Sequence, residues 1–214
     1  PYVQTQRLSI YKKHIKKLLD KKLAYYCFCS PSRLQKLRDR QKTKKQKSKY
    51  DRRCLSLSPS QIKKNLAADK PHVIRLKIPD NQMVVSHDLI RGDIEINSNE
   101  IDDQVLIKSN GIPTYHFAVV VDDHLMKISH VFRGDEWISS LPKQTLLYQY
   151  FNWRPPVFIH LPVFLDPRGK GKMSKRHGSV SARSFLKRGY LPAALNNLSM
   201  LLGWNPGDNR EIFS

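Results

Sequence analysis

Apolar residues recur at helical spacing in several parts of the chain. Between Leu8 and Leu23 they lie three or four positions apart with lysines between them, which predicts an amphipathic helix. The same spacing predicts helices at 140–151, 181–188 and 192–202. A turn followed by a helix start is expected at 55–62.

Strands are predicted where apolar and polar residues alternate or where short apolar runs occur. Val73–Pro79 alternates, and the region up to about residue 114 is therefore expected to be mixed, with a β-rich second half. Further strands are predicted at Met83–Val85, Leu89–Ile96, Gln104–Ile107 and His130–Gly134 (buried), and Phe158–Leu165 is a further short apolar segment. Strands followed by helices indicate an α/β layer fold.

One apolar segment, Thr114–Val121, has no clear period. A buried strand and a buried helix both fit its pattern, and periodicity does not decide between them. The two carboxylates that follow, Asp122 and Asp123, predict a polar turn at its end.

The charge of the chain points to a polyanionic partner. The formal net charge is +20, from 38 Lys and Arg against 18 Asp and Glu. Eleven of these cations lie in the run Arg33–Arg53, which is predicted to be a solvated loop or an exposed helix. A plain solvated face and a surface for RNA phosphates both fit this run.

Composition narrows the class of protein. No apolar run approaches the roughly 20 residues that span a bilayer, and the start has no signal-peptide pattern. Three cysteines do not suggest a disulfide framework, so we expect a cytoplasmic protein without a membrane partner.

The segment Gly169–Gly178 is the most informative for chemistry. It contains three glycines and four cations: Lys170, Lys172, Lys175 and Arg176. A loop of this kind can close over a triphosphate and offset charge that grows during attack at phosphorus. A basic surface loop has a similar composition.

The order of residues is more specific than the composition. Lys172-Met173-Ser174-Lys175-Arg176 resembles the KMSKS-type signature of class I aminoacyl-tRNA synthetases, in a KMSKR form. The resemblance to bacterial glutamate–tRNA ligases covers essentially the whole chain. It is carried by the segments Ala24–Ser30, Gly111–Asp123, Arg133–Trp137, Gly189–Leu195 and Leu201–Trp204.

This resemblance implies an activity and a fold. The activity is ATP-dependent attachment of glutamate to tRNA(Glu) through a glutamyl-adenylate. The fold is α/β: the second half of a Rossmann-like catalytic domain, with an α+β acceptor-binding insertion and the start of a helical stem-contact domain. The implied boundaries are 1–114 for the insertion, 115–154 for the catalytic half-domain and 155–214 for the stem-contact region with the KMSKR loop.

The resemblance also implies site residues. Lys172 and Lys175 act in catalysis, and ATP is bound by Lys172, Met173, Ser174, Lys175, Arg176, Glu136 and Trp137. Tyr115 and Arg133 bind glutamate, since Arg offers a fork for a carboxylate and Tyr a directional hydroxyl. The alternatives remain open: Tyr115 as a core aromatic residue, Arg133 in a surface ion pair, and Trp137 as a purely structural residue. His116 replaces the commoner Asn of the motif and receives no role.

The cysteine pattern resembles the zinc site that is found in a subset of the family, which implies such a site in this chain. Its ligands here are Cys27, Cys29, Tyr50 and Cys54, where three thiolates and one further donor form a tetrahedral set. Buried thiols or a relic site are the alternative, because Tyr is a weak ligand and Ser56 stands where some members carry His.

The sequence lacks one essential motif of the family. We find no HIGH-type motif, so we expect a fragment of a longer ligase that does not charge tRNA by itself. Expected partners are tRNA(Glu), with tRNA(Gln) left open, L-glutamate, and ATP with Mg²⁺, all bound by a monomer. The alternatives are a glutamyl-queuosine tRNA synthetase and a non-catalytic tRNA-binding module.

Overall fold

The computed structural model describes residues 3–163 and 181–213. The described residues belong to two compact units. Those within 1–131 and 139–158 form the first, and those within 132–138 and 159–214 form the second. The predicted phosphate loop Gly169–Gly178, with Lys172, Met173, Ser174, Lys175 and Arg176, lies outside the described residues.

Helices and strands alternate along the chain in the mixed α/β order that the sequence predicts. The helices are α1 (Leu8–Asp20), α2 (Pro31–Thr43), α3 (Pro59–Ala67), α4 (Tyr115–Leu125), α5 (Leu141–Phe151), α6 (Ala182–Lys187) and α7 (Pro192–Gly203). The strands are β1 (Ala24–Cys27), β2 (Val73–Leu76), β3 (Met83–Asp88), β4 (Gly92–Asn97), β5 (Val105–Ile107), β6 (His130–Gly134) and β7 (Val157–Leu161). Within the part that the structure describes, every helix is too short or too polar to cross a membrane.

The strands form two sheets. The first has the order β1-β2-β5 with antiparallel neighbours. The second has the order β4-β3-β7-β6, in which β3 and β4 form a hairpin and β3 runs parallel to β7 at Asp88 and Phe158. A parallel pair requires a crossover through other elements, and α4 and α5 lie in the chain between these two strands.

The core of the first unit lies between α1, α4, α5 and the sheets. The spacing predicted for α1 is confirmed, because Tyr11, Ile15 and Leu18 are all buried on one face. Phe117 on α4 is completely buried and packs against Tyr11 at a ring distance of 6.5 Å. The open choice at 114–121 is therefore settled as a buried helix.

A polar contact joins α1 to α4 beside this core. Asp122 Oδ1 accepts a hydrogen bond from Arg7 Nε at 3.0 Å and forms an ion pair with Arg7 Nη2 at 2.9 Å. Its Oδ2 accepts a hydrogen bond from Tyr11 Oη at 2.6 Å. Burial and this carboxylate raise the pKa of Tyr11 to about 12. Because Tyr11 is 1% exposed, its hydroxyl depends on Asp122 for a partner.

Three local predictions are wrong. Asp122 and Asp123 do not begin a turn, since α4 continues through both to Leu125. Strand β6 exists but is not buried, because its residues are half-buried or exposed. The strand expected at Leu89–Ile96 starts only at Gly92, where a positive φ of 71° favours glycine. The carboxylate of Asp88 accepts bonds from Ile90 N and Arg91 N, which makes 89–91 a turn.

The cationic run forms two kinds of structure. Its first part is α2, whose start is fixed by Ser30, since the Ser30 hydroxyl accepts from Arg33 N at 3.3 Å. Only Leu37 of this helix is buried. The prediction of an exposed helix is therefore correct for 31–43. The rest of the run has a turn at 44–45 and then irregular structure up to the 3-10 helix Arg53–Ser56.

Candidate functional site

Tyr115 is the first residue of α4 and belongs to the first unit. The residue before it is fixed to β5, because Thr114 N donates to Leu106 O and Thr114 Oγ1 donates to Val105 O, both at 2.8 Å. Tyr115 is 49% exposed, while Phe117 takes the core position two residues later. A core role for Tyr115 is therefore ruled out, and its backbone lies in the first turn of a helix, the end at which anions are favoured.

Arg133 lies on β6 in the second unit, beside a partner that the sequence did not suggest. Its Nε donates a 2.8 Å hydrogen bond to Nε2 of His160 on β7. Its guanidinium carbon lies 5.9 Å from the centre of the Trp137 ring, at the outer limit of a cation–π contact. The structure thus gathers Arg133, Trp137 and the buried His160 in one unit.

Glu136 belongs to the same cluster and explains a glycine of the motif. A Cβ atom added at Gly134 would lie 2.0 Å from a carboxylate oxygen of Glu136. Any larger residue at 134 would displace this side chain. The order Arg-Gly-Asp-Glu-Trp therefore allows the carboxylate to fold back over the end of β6.

The four predicted metal ligands come together at the end of β1. The Sγ atoms of Cys27, Cys29 and Cys54 all lie within 4.8 Å of one another, with 3.5 Å between Cys29 and Cys54. Tyr50 Oη lies 3.4 Å from Cys27 Sγ and 3.3 Å from Cys29 Sγ. In a tetrahedral zinc site with Zn–S bonds of about 2.3 Å, neighbouring sulfurs are about 3.8 Å apart, so this donor set fits the metal.

Electrostatics around the cysteines favour one thiolate, at Cys27. Hydrogen bonding from Cys54, aided by Tyr50 and Arg75 and opposed by burial, lowers the pKa of Cys27 to about 4. The same pairing raises the pKa of Cys54, and burial together with the sulfurs raises that of Tyr50. Arg33 Nη1 also donates to Cys29 Sγ at 3.4 Å. A divalent cation would supply the charge that these sulfurs attract.

We call residues 31–53, from the start of α2 to the end of the cationic run, the basic arm. Its exposed cations are Lys36, Arg38, Arg40, Lys42, Lys44, Lys45, Lys47 and Arg53. Near its tip the chain closes on itself, because the amide of Gln41 donates to Lys49 O at 2.7 Å and accepts from Lys49 N at 3.2 Å. The result is a folded, mainly cationic surface in which the exposed carboxylates are Asp39 and Asp51.

Two adjacent carboxylates hold the C-terminal end of the basic arm. Asp102 Oδ1 accepts from Tyr50 N at 2.8 Å. Asp103 is fully buried and accepts from Arg52 Nη2 at 2.9 Å and from Tyr25 Oη at 2.6 Å. We did not predict this anchor, although two adjacent acidic residues before an apolar strand were a visible signal.

Comparison with known proteins gives one consistent answer. The family model described as "tRNA synthetases class I (E and Q), catalytic domain" matches residues 1–214. The chain is 53% identical over 214 residues to the glutamate–tRNA ligase of Clostridioides difficile (strain 630) and 49% identical to that of Alkaliphilus metalliredigens (strain QYMF). Both comparisons cover all of this chain but only 43% of each relative, so the chain spans less than half of their length.

Solved structures agree. A glutamate tRNA ligase from Elizabethkingia meningosepticum CCUG26117, in complex with its amino acid, matches with a TM-score of 0.88 and 37% identity. The glutamate–tRNA synthetase of Elizabethkingia anophelis matches with a TM-score of 0.89 and 38% identity. Each comparison covers all of this chain and 48% of the other.

Proposed function

Because the chain belongs to the family of class I tRNA synthetases for glutamate and glutamine, within their catalytic domain, we propose that it is part of an ATP-dependent glutamate–tRNA ligase. The observation that carries this proposal is the cluster of Arg133, Glu136 and Trp137, with the Arg133 guanidinium fixed by a buried partner. Such an arginine is suited to gripping a carboxylate in one orientation. The chain would act within a protein of its relatives' length, as a monomer in the cytoplasm.

The proposed reaction has two steps. A carboxylate oxygen of glutamate attacks the α-phosphorus of ATP, which enters with Mg²⁺, and pyrophosphate leaves. A terminal ribose hydroxyl of tRNA then attacks the activated carbonyl, and AMP leaves. Neither step needs a covalent enzyme intermediate, so positioning and charge stabilisation do most of the work.

The residues divide between the substrates. Arg133 and Tyr115 would bind glutamate, the first by its charge and the second by its hydroxyl. Glu136 and Trp137 would contact the nucleotide. Lys172 and Lys175 would offset charge on the phosphates, with Met173, Ser174 and Arg176 as the rest of the ATP-binding loop.

The basic arm would bind the acceptor end of tRNA(Glu). Its row of exposed cations suits a phosphate backbone, and contacts of this kind weaken strongly with salt. Whether tRNA(Gln) is also a substrate depends on residues elsewhere in a longer ligase. We retain the division of the chain into an acceptor-binding insertion (1–114), a catalytic half-domain (115–154) and a stem-contact region (155–214).

We propose that Cys27, Cys29 and Cys54, with Tyr50, hold one structural zinc ion. The support is the donor geometry and the lowered pKa of Cys27. The ion would join β1 to the 3-10 helix Arg53–Ser56 and so close the base of the basic arm. It would take no part in the reaction.

The test is tRNA-dependent ATP–pyrophosphate exchange with glutamate, using the full-length protein. Lys175→Ala should lower the exchange rate by roughly 100-fold, as loss of a charge-stabilising donor does, while tRNA affinity in filter binding changes little. Lys187→Ala on α6 removes an exposed lysine nearby in sequence and is the matched control. Equal effects of the two substitutions, or no glutamate-dependent exchange in the unaltered protein, would refute the proposal.

A further inference from the structure

An apolar groove opens in the first unit beside α1, β1 and α3. Its volume is about 670 Å³, within the range of roughly 300–1,000 Å³ that is usual for small-molecule sites. The lining includes Leu19 of α1, Ala24 of β1, Leu55 of the 3-10 helix Arg53–Ser56 and Leu66 of α3. The groove is therefore mostly aliphatic, and all of its lining belongs to the first unit.

Helix α3 forms a wall of this groove and is not packed into the core. Ile62 and Leu66 are four positions apart, so they lie on one face of the helix, and both line the groove while remaining half-buried. Within the described residues, neither belongs to the two hydrophobic clusters of the first unit. A capping box at Ser58 and the proline that follows it fix the start of the helix. The apolar face of α3 is thus held beside an open space.

Three lysines give the groove positive charge. Lys22 lies just after α1, Lys63 lies on α3, and Lys77 directly follows β2. A lysine in an apolar wall contributes its methylene stem and keeps its ammonium group at the edge that faces water. Among the described residues, no carboxylate pairs with these three lysines, and the lining contains no acidic residue. Because Lys77 is half-buried, its unpaired charge favours an anion most strongly.

The aliphatic lining and the lysines together select the chemistry of a ligand. An apolar body gains free energy by leaving water, and an anionic head gains it beside unpaired lysines. Unpaired RNA bases instead favour exposed aromatic rings, on which they stack. Of the two tyrosines in the lining, Tyr25 is buried with its hydroxyl bonded to Asp103, and Tyr26 is half-buried. The groove therefore suits a hydrocarbon better than a nucleobase.

We propose that this groove binds a monomeric amphipathic anion, with a hydrocarbon body of medium length and one carboxylate head, as in a fatty acid. The hydrocarbon lies against Leu19, Leu55 and Leu66, and the head lies beside Lys63 and Lys77. None of these residues has a role in the proposed reaction, so the site is an additional one. A bound ligand joins α3 to the 3-10 helix, so amide exchange should slow in both elements.

Calorimetric titration of the full-length protein with decanoate tests the class of ligand. Decanoate is smaller than the drug-sized molecules that cavities of this volume enclose, and we expect saturable binding of one molecule. 1-Decanol has the same chain without the charge and should bind roughly tenfold more weakly. Decylamine should show no saturable binding, because its ammonium group meets the lysines. Equal affinities for decanoate and 1-decanol, or no saturable binding of decanoate, would overturn the proposal.

Lys63 and Lys64 provide a matched pair of charge reversals. They are adjacent on α3 and both exposed, but only Lys63 lines the groove. Lys63→Glu should weaken decanoate binding by roughly fivefold or more, whereas Lys64→Glu should change it by less than about twofold. Both substitutions change the net charge of the protein equally. Equal effects would mean that the anion responds only to the overall positive charge, and the proposed site would be wrong.

Ala67 and Ala68 provide a second matched pair, which locates the hydrocarbon. Both are exposed, and only Ala67 lines the groove. Ala67→Trp should weaken decanoate binding by roughly tenfold or more, because the indole takes the place of the hydrocarbon, and Ala68→Trp should leave it unchanged. The charge reversals cover the case in which Ala67→Trp does not fold. Normal decanoate affinity in a folded Ala67→Trp variant would place the hydrocarbon elsewhere and refute the inference.

Competition with tRNA separates this ligand from RNA. A saturating amount of tRNA should leave decanoate binding unchanged, and Lys63→Glu should leave tRNA affinity in filter binding unchanged. Displacement of decanoate by tRNA, together with weaker tRNA binding in Lys63→Glu, would assign the groove to RNA and overturn the proposal. Failure of glutamate-dependent exchange is a separate result, because no residue of the groove takes part in the proposed reaction.

Discussion

The contact between α1 and α4 allows a quantitative test of what positions Tyr115. In Asp122→Asn the side chain keeps its shape, but one of its two oxygens becomes an N–H donor. Arg7 and Tyr11 use different oxygens of Asp122, so one of the two must lose its acceptor. The Arg7 and Asp122 side chains are 16% and 23% exposed, so water can compensate only partly.

The loss of stability caused by Asp122→Asn can be bracketed from these contacts. Breaking a fully buried ion pair costs about 3–5 kcal/mol, and the partial exposure here lowers this to about 2–4 kcal/mol. At about 1.4 kcal/mol per factor of ten, local opening of α4 should become roughly 30 to 700 times more frequent. Tyr11→Phe should cost less, about 1 kcal/mol, because the ion pair with Arg7 survives.

Hydrogen exchange measured by mass spectrometry on the full-length protein is the suitable assay, because it reports opening of α4 separately from other regions. The control is Asp20→Asn, the same substitution in the Lys16–Asp20 pair, whose side chains are 73% and 60% exposed. It should cost less than about 0.5 kcal/mol. Similar exchange of α4 amides in both variants would show that Asp122 does not hold the helix.

Three further predictions concern other parts of the fold. Chelation of zinc, or the substitution Cys54→Ser, should remove about one equivalent of bound zinc and speed amide exchange in α2. The control Ser56→Ala should do neither, and a normal zinc content in Cys54→Ser would contradict the site. Burial lowers the pKa of His14, which packs against Phe151 and Trp153. The unfolded chain therefore takes up this proton first, so stability is full above about pH 6.5 and falls below it by at most about 1.4 kcal/mol per pH unit. His14→Leu should remove that part of the slope of melting temperature against pH, and an unchanged slope would refute the assignment. Ser58→Ala removes the capping box of α3 and should lower the stability of that helix by about 1 kcal/mol, which would appear as faster amide exchange in α3 but not in α2. Equal amide exchange of α3 in wild type and variant would contradict this prediction.

The sequence predicted features that depend on local patterns. The apolar spacing of α1 and the alternation of β2 needed only neighbouring residues, and the cysteine spacing indicated which side chains would meet. It failed where a distant partner decides the outcome. Asp122 looks like a turn residue until Arg7 and Tyr11, more than a hundred positions away, give its carboxylate a reason to lie in a helix.

A partner distant in sequence also explains why the contact between Arg133 and His160 was not predicted. His160 lies in a short apolar segment, and nothing nearby in sequence marks it as a partner of Arg133. The turn at Asp88 was missed for a different reason: a carboxylate that caps its own following residues was overlooked within an apolar pattern. Residues 164–180 lie outside the described part, so the loop with Lys172 and Lys175 stays a prediction.

The adjacent carboxylates Asp102 and Asp103 have a consequence for how the basic arm can change over evolution. They grip Tyr50 and Arg52 by bonds that involve no sulfur, while Tyr50 also contacts the cysteines. The arm is thus tethered twice at one end, and either tether can weaken without releasing the chain. A lineage that lost a cysteine could keep the basic arm in place, so the proposed metal is the more dispensable of the two attachments.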